Sequence, residues 1–392
     1  MATQTTISAT GNLLIAEAYR QVEPDVIAAY PITPQTTIVE AYAKYVADGR
    51  VHTELVTVES EHSSMSACIG ASAAGARTAT ATSSQGFAYM YEELPIAAGM
   101  RLPIVMANAN RAISAPINIH ADHSDVMSAR DTGWIMLFAE DAQDAYDNTV
   151  MSFRIAENPA VRLPVITALD GFITTHAMER AQLMDDETVK SFAGQYVPPE
   201  ALLDTENPIS VGMFAEDRFY TAGHLSTRRA IDGAASIIKE IGDEWGALCG
   251  RPFNAVNAYR CEDADYVIVI IGSAAGNVRH VVNELRDQGK KVGVASIRVY
   301  RPFPYQELAQ AIGHAKAIGV MDRSESFGAQ NGPLGLDVHT ALYGQTQAPV
   351  RDYIYGLGGL DVTLDLIRQV YADLEETESI VPDPGVIYLG IN

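Results

Sequence analysis

The chain has 392 residues, more than one hydrophobic core comfortably serves, so two domains are expected. Its 49 acidic and 27 basic residues leave a net charge of −22, a surface that repels nucleic acid and anionic membranes and offers no basic landing patch for a small acidic electron carrier. Hydrophobic residues make up 47% and charged residues 19%, as in ordinary globular proteins, and no apolar run approaches the roughly 18–20 residues of a membrane span.

Met1 to Gly11 is Thr/Ser-rich and lacks the basic and apolar regions of a signal peptide, so a cytoplasmic location is expected. Cys68, Cys249 and Cys261 lie far apart and form no C-x-x-C pair. That argues against a disulfide framework, a zinc site or an iron–sulfur cluster held by this chain.

In chain order, Val26–Tyr30, Leu55–Val58, Thr78–Thr82, Pro103–Ala107 and Pro164–Leu169 read as short buried strands. Amphipathic stretches lie between them. In Asp141–Glu157, small or apolar residues at Ala142, Ala145, Thr149, Phe153 and Ala156 mark one helical face. Strand and helix in alternation predict an α/β fold with a doubly wound parallel sheet. From about Met178 to Ala258 the rhythm breaks, with Pro198-Pro199 and Asn207-Pro208 marking irregular chain. A long helix over Ser226–Gly246, capped by Ser226, is expected in this connector, which wraps the first domain. A second α/β unit begins near Glu262, with strands at Tyr266–Ile271, Val292–Ile297 and Ala317–Met321 and a helix over Asn277–Gln288. The domains expected are residues 1–258, including the connector 178–258, and residues 259–392. The acidic tail Glu375–Asn392 is expected to lie over the surface or a partner.

Ligands of doubly wound sheets bind beyond the carboxyl ends of the strands. Four ends carry unusual residues. Tyr30-Pro31-Ile32-Thr33-Pro34 brackets Thr33 between prolines, which fixes its hydroxyl at an anion-friendly helix start, although Thr33 also reads as a plain helix cap. Val58-Glu59-Ser60-Glu61-His62 offers a carboxylate to a protonated ring nitrogen, or two acids favoured by a helix dipole. The Ser/Ala/Gly-rich segment Ser63–Ala76 after it must pack very closely. Ala81-Thr82-Ser83-Ser84-Gln85-Gly86 gives donors and room for a ligand, or an ordinary capping turn. Asn108-Ala109-Asn110-Arg111 ends on an arginine suited to a bidentate grip on a carboxylate, or to a surface ion pair. His120-Ala121-Asp122-His123-Ser124-Asp125 invites a metal reading, but consecutive ligands on one loop rarely close a coordination sphere, and no metal site is assigned. Gly272-Ser273-Ala274-Ala275-Gly276 lacks the glycine spacing of a dinucleotide fingerprint.

Together, Tyr30-Pro-Ile-Thr-Pro-Gln, Val58–Gly75, Ala81–Gly86, Asp122–Gly133 and Val299-Tyr-Arg-Pro-Phe-Pro304 resemble the α subunit of 2-oxoacid:ferredoxin oxidoreductases, above all the pyruvate enzymes, over nearly the whole chain. The resemblance implies a first domain like the pyrimidine-binding half of thiamine-diphosphate enzymes and a second like the transketolase C-terminal domain. It implies that Glu61 bonds N1′ of the aminopyrimidine, with Glu59 the fallback, and that Thr33 and Arg111 hold the 2-oxo acid's carboxylate. Pro31, Ser84 and Gln85 are the further cofactor contacts it implies. The diphosphate and Mg²⁺ are expected on a β subunit, which agrees with the missing G-D-G motif, and [4Fe-4S] clusters on γ and ferredoxin-like δ subunits or their equivalents. The implied reaction is oxidative decarboxylation of pyruvate to acetyl-CoA and CO₂, with coenzyme A as acyl acceptor and ferredoxin, docked elsewhere in the complex, as electron acceptor. Phenylglyoxylate or a branched-chain 2-oxo acid would use the same residues. A noncatalytic scaffold and a metallohydrolase built on His120, Asp122 and His123 are the rivals from other classes.

Overall fold

The computed structural model describes residues 3–377 and 385–391. Its strands are β1 (Gln4–Ala9), β2 (Val26–Ala29), β3 (Glu54–Thr57), β4 (Thr78–Thr82), β5 (Ile104–Asn110), β6 (Ile135–Phe138), β7 (Val165–Asp170), β8 (Glu179–Met184), β9 (Val256–Tyr259), β10 (Tyr266–Ile270), β11 (Val292–Ile297), β12 (Val299–Arg301), β13 (Ala317–Asp322), β14 (Val350–Ile354) and β15 (Val386–Tyr388). A seven-stranded sheet has the order β12-β6-β7-β5-β4-β2-β3, and a six-stranded sheet the order β15-β14-β13-β10-β11-β9. Both are parallel except at β12 and β9, and β1 with β8 forms a separate antiparallel ribbon.

The inner strands β4, β5, β6 and β7 are buried at every residue, as parallel strands covered by helices on both faces must be. That is why they carry mostly apolar residues and threonine, with Asn108, Asn110 and Asp170 the polar exceptions toward the carboxyl ends. The helix Ala142–Glu157 is capped by the Asp141 carboxylate, which accepts the Asp144 amide at 2.8 Å. Ser64 Oγ, on the small-residue helix Glu61–Ala73, donates to Ala28 O of β2 at 2.7 Å, an approach a larger residue would block.

Several expectations are corrected. β5 runs to Asn110, three residues beyond Ala107, because Asn108–Asn110 pair in register with Ala168–Asp170 of β7. The helix expected over Ser226–Gly246 is Asp217–Cys249, so Ser226 lies in its interior and Glu216 at its N-cap. Nothing between Asp217 and Ser226 breaks a helix, and the Ser226 hydroxyl accepts Arg101 Nη1 at 3.1 Å instead of capping. Thr33 does not cap the helix Thr36–Ala47, whose N-cap is Gln35. The tail does not simply lie over the surface. Its stretch 386–388 adds β15 in parallel beside β14, while 378–384 and 392 fall outside the described residues.

The two sheets are tied together. β12 crosses from the second half to pair antiparallel with β6, placing Val299 opposite Leu137. One apolar cluster runs from Met106, Phe138 and Ile166 to Val267, Ile297 and Val320, so the halves share a core. Among the described residues no helix is long and apolar enough to cross a membrane.

Candidate active site

The strand order β5-β4-β2-β3 sets all four unusual strand ends side by side, which no reading of separate motifs could establish. At the β2 end, the turn Tyr30–Gln35 is fastened by Gln35. Its Nε2 donates to Ala81 O of β4 at 2.6 Å and its Oε1 accepts Ile32 N at 3.3 Å. Thr33 and Pro31 are left exposed.

At the β3 end, Ser60 caps the next helix by accepting Ser63 N at 3.2 Å, and Glu61 is the first helical residue. Glu61 is 8% exposed, yet its carboxylate has no hydrogen bond or ion pair among the described residues. It faces Gly86. A Cβ at that glycine would stand 2.6 Å from Glu61 Oε1 and 2.8 Å from Thr82 Oγ1, so the Glu61 carboxylate can lie against position 86 only because it has no side chain. Thr82 Oγ1 is likewise buried without a partner. Glu59 is exposed and accepts the Ser63 hydroxyl, which lowers its pKa from the ordinary carboxylate value. The two acids therefore separate into one spent on the helix start and one kept bare.

The remaining loops converge on Asp125. This fully buried carboxylate accepts Ser84 N at 2.9 Å, Arg111 N at 3.0 Å and Asn108 Nδ2 at 3.1 Å through Oδ2, and Val126 N at 2.7 Å through Oδ1. Burial pushes its pKa up to about 7 against the pull of those donors. Arg111 is 7% exposed and is held by Thr33 O at 2.9 Å from Nη1 and Asn118 O at 2.9 Å from Nε. Burial lowers its pKa from the usual arginine value, with Asp125 opposing. Thr33 and Arg111 are thus brought together through the Thr33 carbonyl. Ser84, with φ of 50°, gives its hydroxyl to Ala112 O at 2.6 Å and Gln85 Oε1 at 2.7 Å, so both side chains are engaged within the loop.

A second buried carboxylate closes β7. Asp170 receives His123 Nε2 at 2.7 Å, Arg323 Nη1 at 2.9 Å, and Ser273 N at 3.0 Å and Oγ at 2.5 Å. Burial alone would raise its pKa, but the flanking His123 and Arg323 hold it well below the usual carboxylate range. Ser273 and Arg323 belong to the second half, so the glycine-bearing turn Gly272–Gly276 receives a carboxylate of this chain. The loop His120–Asp125 is dispersed: His123 turns to Asp170, Asp122 accepts Ser124 N at 3.0 Å and Gly358 N at 3.1 Å, and His120 stacks on Phe172 at 5.5 Å. Among the described residues no group of three His, Cys, Asp or Glu is placed to hold a metal. Sequence reasoning missed the roles of Asp125, Asp170, Gln35 and Thr82. The one local signal was an acid closing the apolar run of β7.

Residues 17–243, more than half of the chain, match the family described as pyruvate flavodoxin/ferredoxin oxidoreductase, thiamine diP-bdg. The chain belongs to this family. Residues 264–367 match pyruvate:ferredoxin oxidoreductase core domain II. Pyruvate synthase subunit PorA of Thermotoga maritima is 48% identical over 98% of both chains. The same subunit of Methanocaldococcus jannaschii is 43% identical over 97% of both. Ketoisovalerate oxidoreductase subunit VorA of Pyrococcus abyssi is 42% identical over 94% of this chain and 93% of that one. Among solved structures, a 2-oxoglutarate:ferredoxin oxidoreductase from Magnetococcus marinus superposes with a TM-score of 0.73 at 20% identity, over 94% of this chain. The chain spans 65% of the length of that larger one. A split gene transketolase superposes with a TM-score of 0.57 at 13% identity, over 94% of this chain and 98% of its own. The α/β architecture expected from the sequence is thus the fold of this family.

Proposed function

We propose that this chain is the α subunit of a thiamine-diphosphate-dependent pyruvate:ferredoxin oxidoreductase and supplies the pyrimidine-binding half of a shared active site. The observation that carries the reading is the bare, buried Glu61 carboxylate facing Gly86 at the end of four adjacent strands. The residues here fit the cofactor's aminopyrimidine: Gly86 makes room for the Glu61 side chain, whose unpaired carboxylate can hold a proton at N1′, and the orphaned Thr82 hydroxyl stands beside it. When bound, thiamine diphosphate supplies the carbon nucleophile and the electron sink that decarboxylation of a 2-oxo acid needs.

This chain's own residues bind and orient. Glu61 shares its proton with N1′ and so sets the protonation state of the aminopyrimidine. Arg111 is fixed through Nε and Nη1 and directs positive charge at the substrate carboxylate, with the exposed Thr33 hydroxyl beside it. Pro31, Ser84 and Gln85 shape the cleft walls. Pyruvate and coenzyme A give acetyl-CoA, CO₂ and a proton, and two electrons leave one at a time for ferredoxin. The three cysteines are separate and buried, so the reading assigns the iron–sulfur clusters to γ and δ subunits, and the diphosphate and Mg²⁺ to a β subunit. It divides the chain at about residues 258/259 and places the complex in the cytoplasm.

The test is anaerobic co-purification of the complex, then a panel of 2-oxo acids with a viologen dye as electron acceptor. Coenzyme-A-dependent reduction with pyruvate is the expected result. Reduction only with a branched-chain or aromatic oxo acid moves the substrate to that class. No reduction by a complex shown to contain thiamine diphosphate and iron overturns the reading.

A further inference from the structure

The helix Asp217–Cys249 is 33 residues long, about 50 Å at 1.5 Å per residue, and only part of it is packed. From Ala230 onward one stripe, Ala230, Ala234, Ile238, Ile241 and Trp245, is buried against the first domain. The same stripe continues toward the N-terminus at i, i+3 and i+4 spacing as Phe219, Ala222, Leu225 and Ser226, and there all four residues are exposed, with Ser226 still bonded to Arg101 of the domain. Phe219 is 65% and Leu225 47% exposed, and the chain leading into the helix adds Met213 at 68% and Phe214 at 89%. Monomeric surfaces seldom carry so much contiguous apolar side chain.

Charge marks the floor of this overhang. A groove of about 360 Å³ lies between Ala222, Leu225, Ser226 and Arg229 of the helix and Arg101 and Ala160 of the domain. Arg101 spends its donors on neutral oxygens, Val161 O, Arg162 O and Ser226 Oγ. Arg162, next to it, keeps a buried Nε without an acceptor. Neither of these two, nor Arg229, has a carboxylate partner among the described residues, in a chain where 49 acids outnumber 27 bases. Both Arg101 (φ 58°) and Arg162 (φ 43°) occupy left-handed backbone that residues with a Cβ disfavour. Burial, with Arg162 adding to it, lowers the pKa of Arg101, as expected of a cation lacking its counter-charge.

We infer that this groove docks a segment of another subunit in the same assembly, one that lays apolar side chains along Phe219, Ala222 and Leu225 and delivers a carboxylate to Arg101 and Arg229. Charge complementarity selects the occupant: the unpaired guanidiniums call for an acid, and the apolar stripe calls for a polypeptide over a free small anion. A second copy of this chain would bring its own arginines to the shared axis of a self-complementary contact. The inference rests on the chain being a subunit, as proposed above, but its test needs no turnover and so fails or succeeds separately.

A benzophenone amino acid placed at Phe219 in the complete complex is irradiated and the cross-linked peptides are sequenced. Arg229→Glu, on an exposed side chain remote from the Glu61 cleft, is compared with wild type for subunit dissociation at rising salt. Cross-links to an acidic, apolar stretch of a different subunit, with dissociation at least roughly tenfold greater in Arg229→Glu, are expected. Leu225→Asp gives a second variant with the same expectation. Cross-links to a second copy of this chain, no cross-links from an intact complex, or unchanged dissociation in both variants overturns the inference. Protection of the groove by inorganic phosphate alone also overturns it.

Discussion

Two carboxylates sit at the carboxyl edge of the same sheet, both nearly sealed from solvent, and the chain treats them in opposite ways. Asp170, 1% exposed, is saturated by His123, Arg323 and Ser273. Glu61, 8% exposed, has nothing. A buried charge without a partner is costly, yet this fold pairs one acid fully and leaves the other bare. The saturated acid joins the two halves of the chain, and the bare one is the carboxylate proposed above to meet the cofactor.

That contrast can be broken at several points, and the largest effect is expected at Glu61. Glu61→Ala should abolish exchange of the thiamine C2 proton and lower turnover by at least about a thousandfold, with subunit composition unchanged. Normal exchange in this variant would remove Glu61 from the reaction. Asp170→Asn should instead cost about 3–5 kcal/mol of stability, because it strands the buried Arg323 and His123, and denaturant unfolding of the complex measures it. The sign with pH follows. Asp170 titrates below its ordinary 3.8 when folded, so its contribution is present above that value and is lost as pH falls below it.

Arg111→Ala should mainly raise KM for the oxo acid, by about 2–4 kcal/mol in transition-state terms, since a buried charge pair to the substrate is lost. An unchanged KM would place the carboxylate elsewhere. Gly86→Ala tests the placement of Glu61 by displacing its side chain. The added methyl meets the Glu61 carboxylate, and cofactor affinity measured by fluorescence titration should fall by about 1–3 kcal/mol while the isolated chain stays folded.

At Asp125 the effect is expected in the pH dependence. Its folded pKa of about 7 lies above the ordinary 3.8, so the folded state binds the extra proton, and stability declines as pH rises between those values. In Asp125→Asn that slope should disappear. Wild-type KM should rise as pH falls through about 7, where a protonated Asp125 no longer anchors the Arg111 loop, and Asp125→Asn should lose that dependence.

Much of the fold was legible because it depends on neighbours in sequence. β4 and β11 were expected at the residues where they occur, since short apolar runs bounded by turns specify buried strands. The helical face read in Asp141–Glu157 occurs as the helix Ala142–Glu157. β12 was not legible, because three residues before a proline become a strand only when the edge of β6 is free to pair with them. The overhanging start of the long helix was also missed. Its apolar stripe marks helix, but whether a domain lies beneath that stripe is not written in its period.

At the site, the chain itself determined which residue types stand at each strand end: a proline-bracketed threonine, a glutamate opening a helix of small residues, a Ser/Gly turn and an arginine. It left Glu59 and Glu61 interchangeable, and Asp122, Asp125 and His123 as one undivided polar loop. Tertiary structure decided between them. Strand order brought four ends together, Gly86 left space against one glutamate, Asp125 collected amides from separate loops, and Asp170 reached across to the second half. The reason is physical. Residue type and spacing set local hydrogen bonding and periodicity, whereas burial and the pairing of a charge depend on what distant segments place beside it.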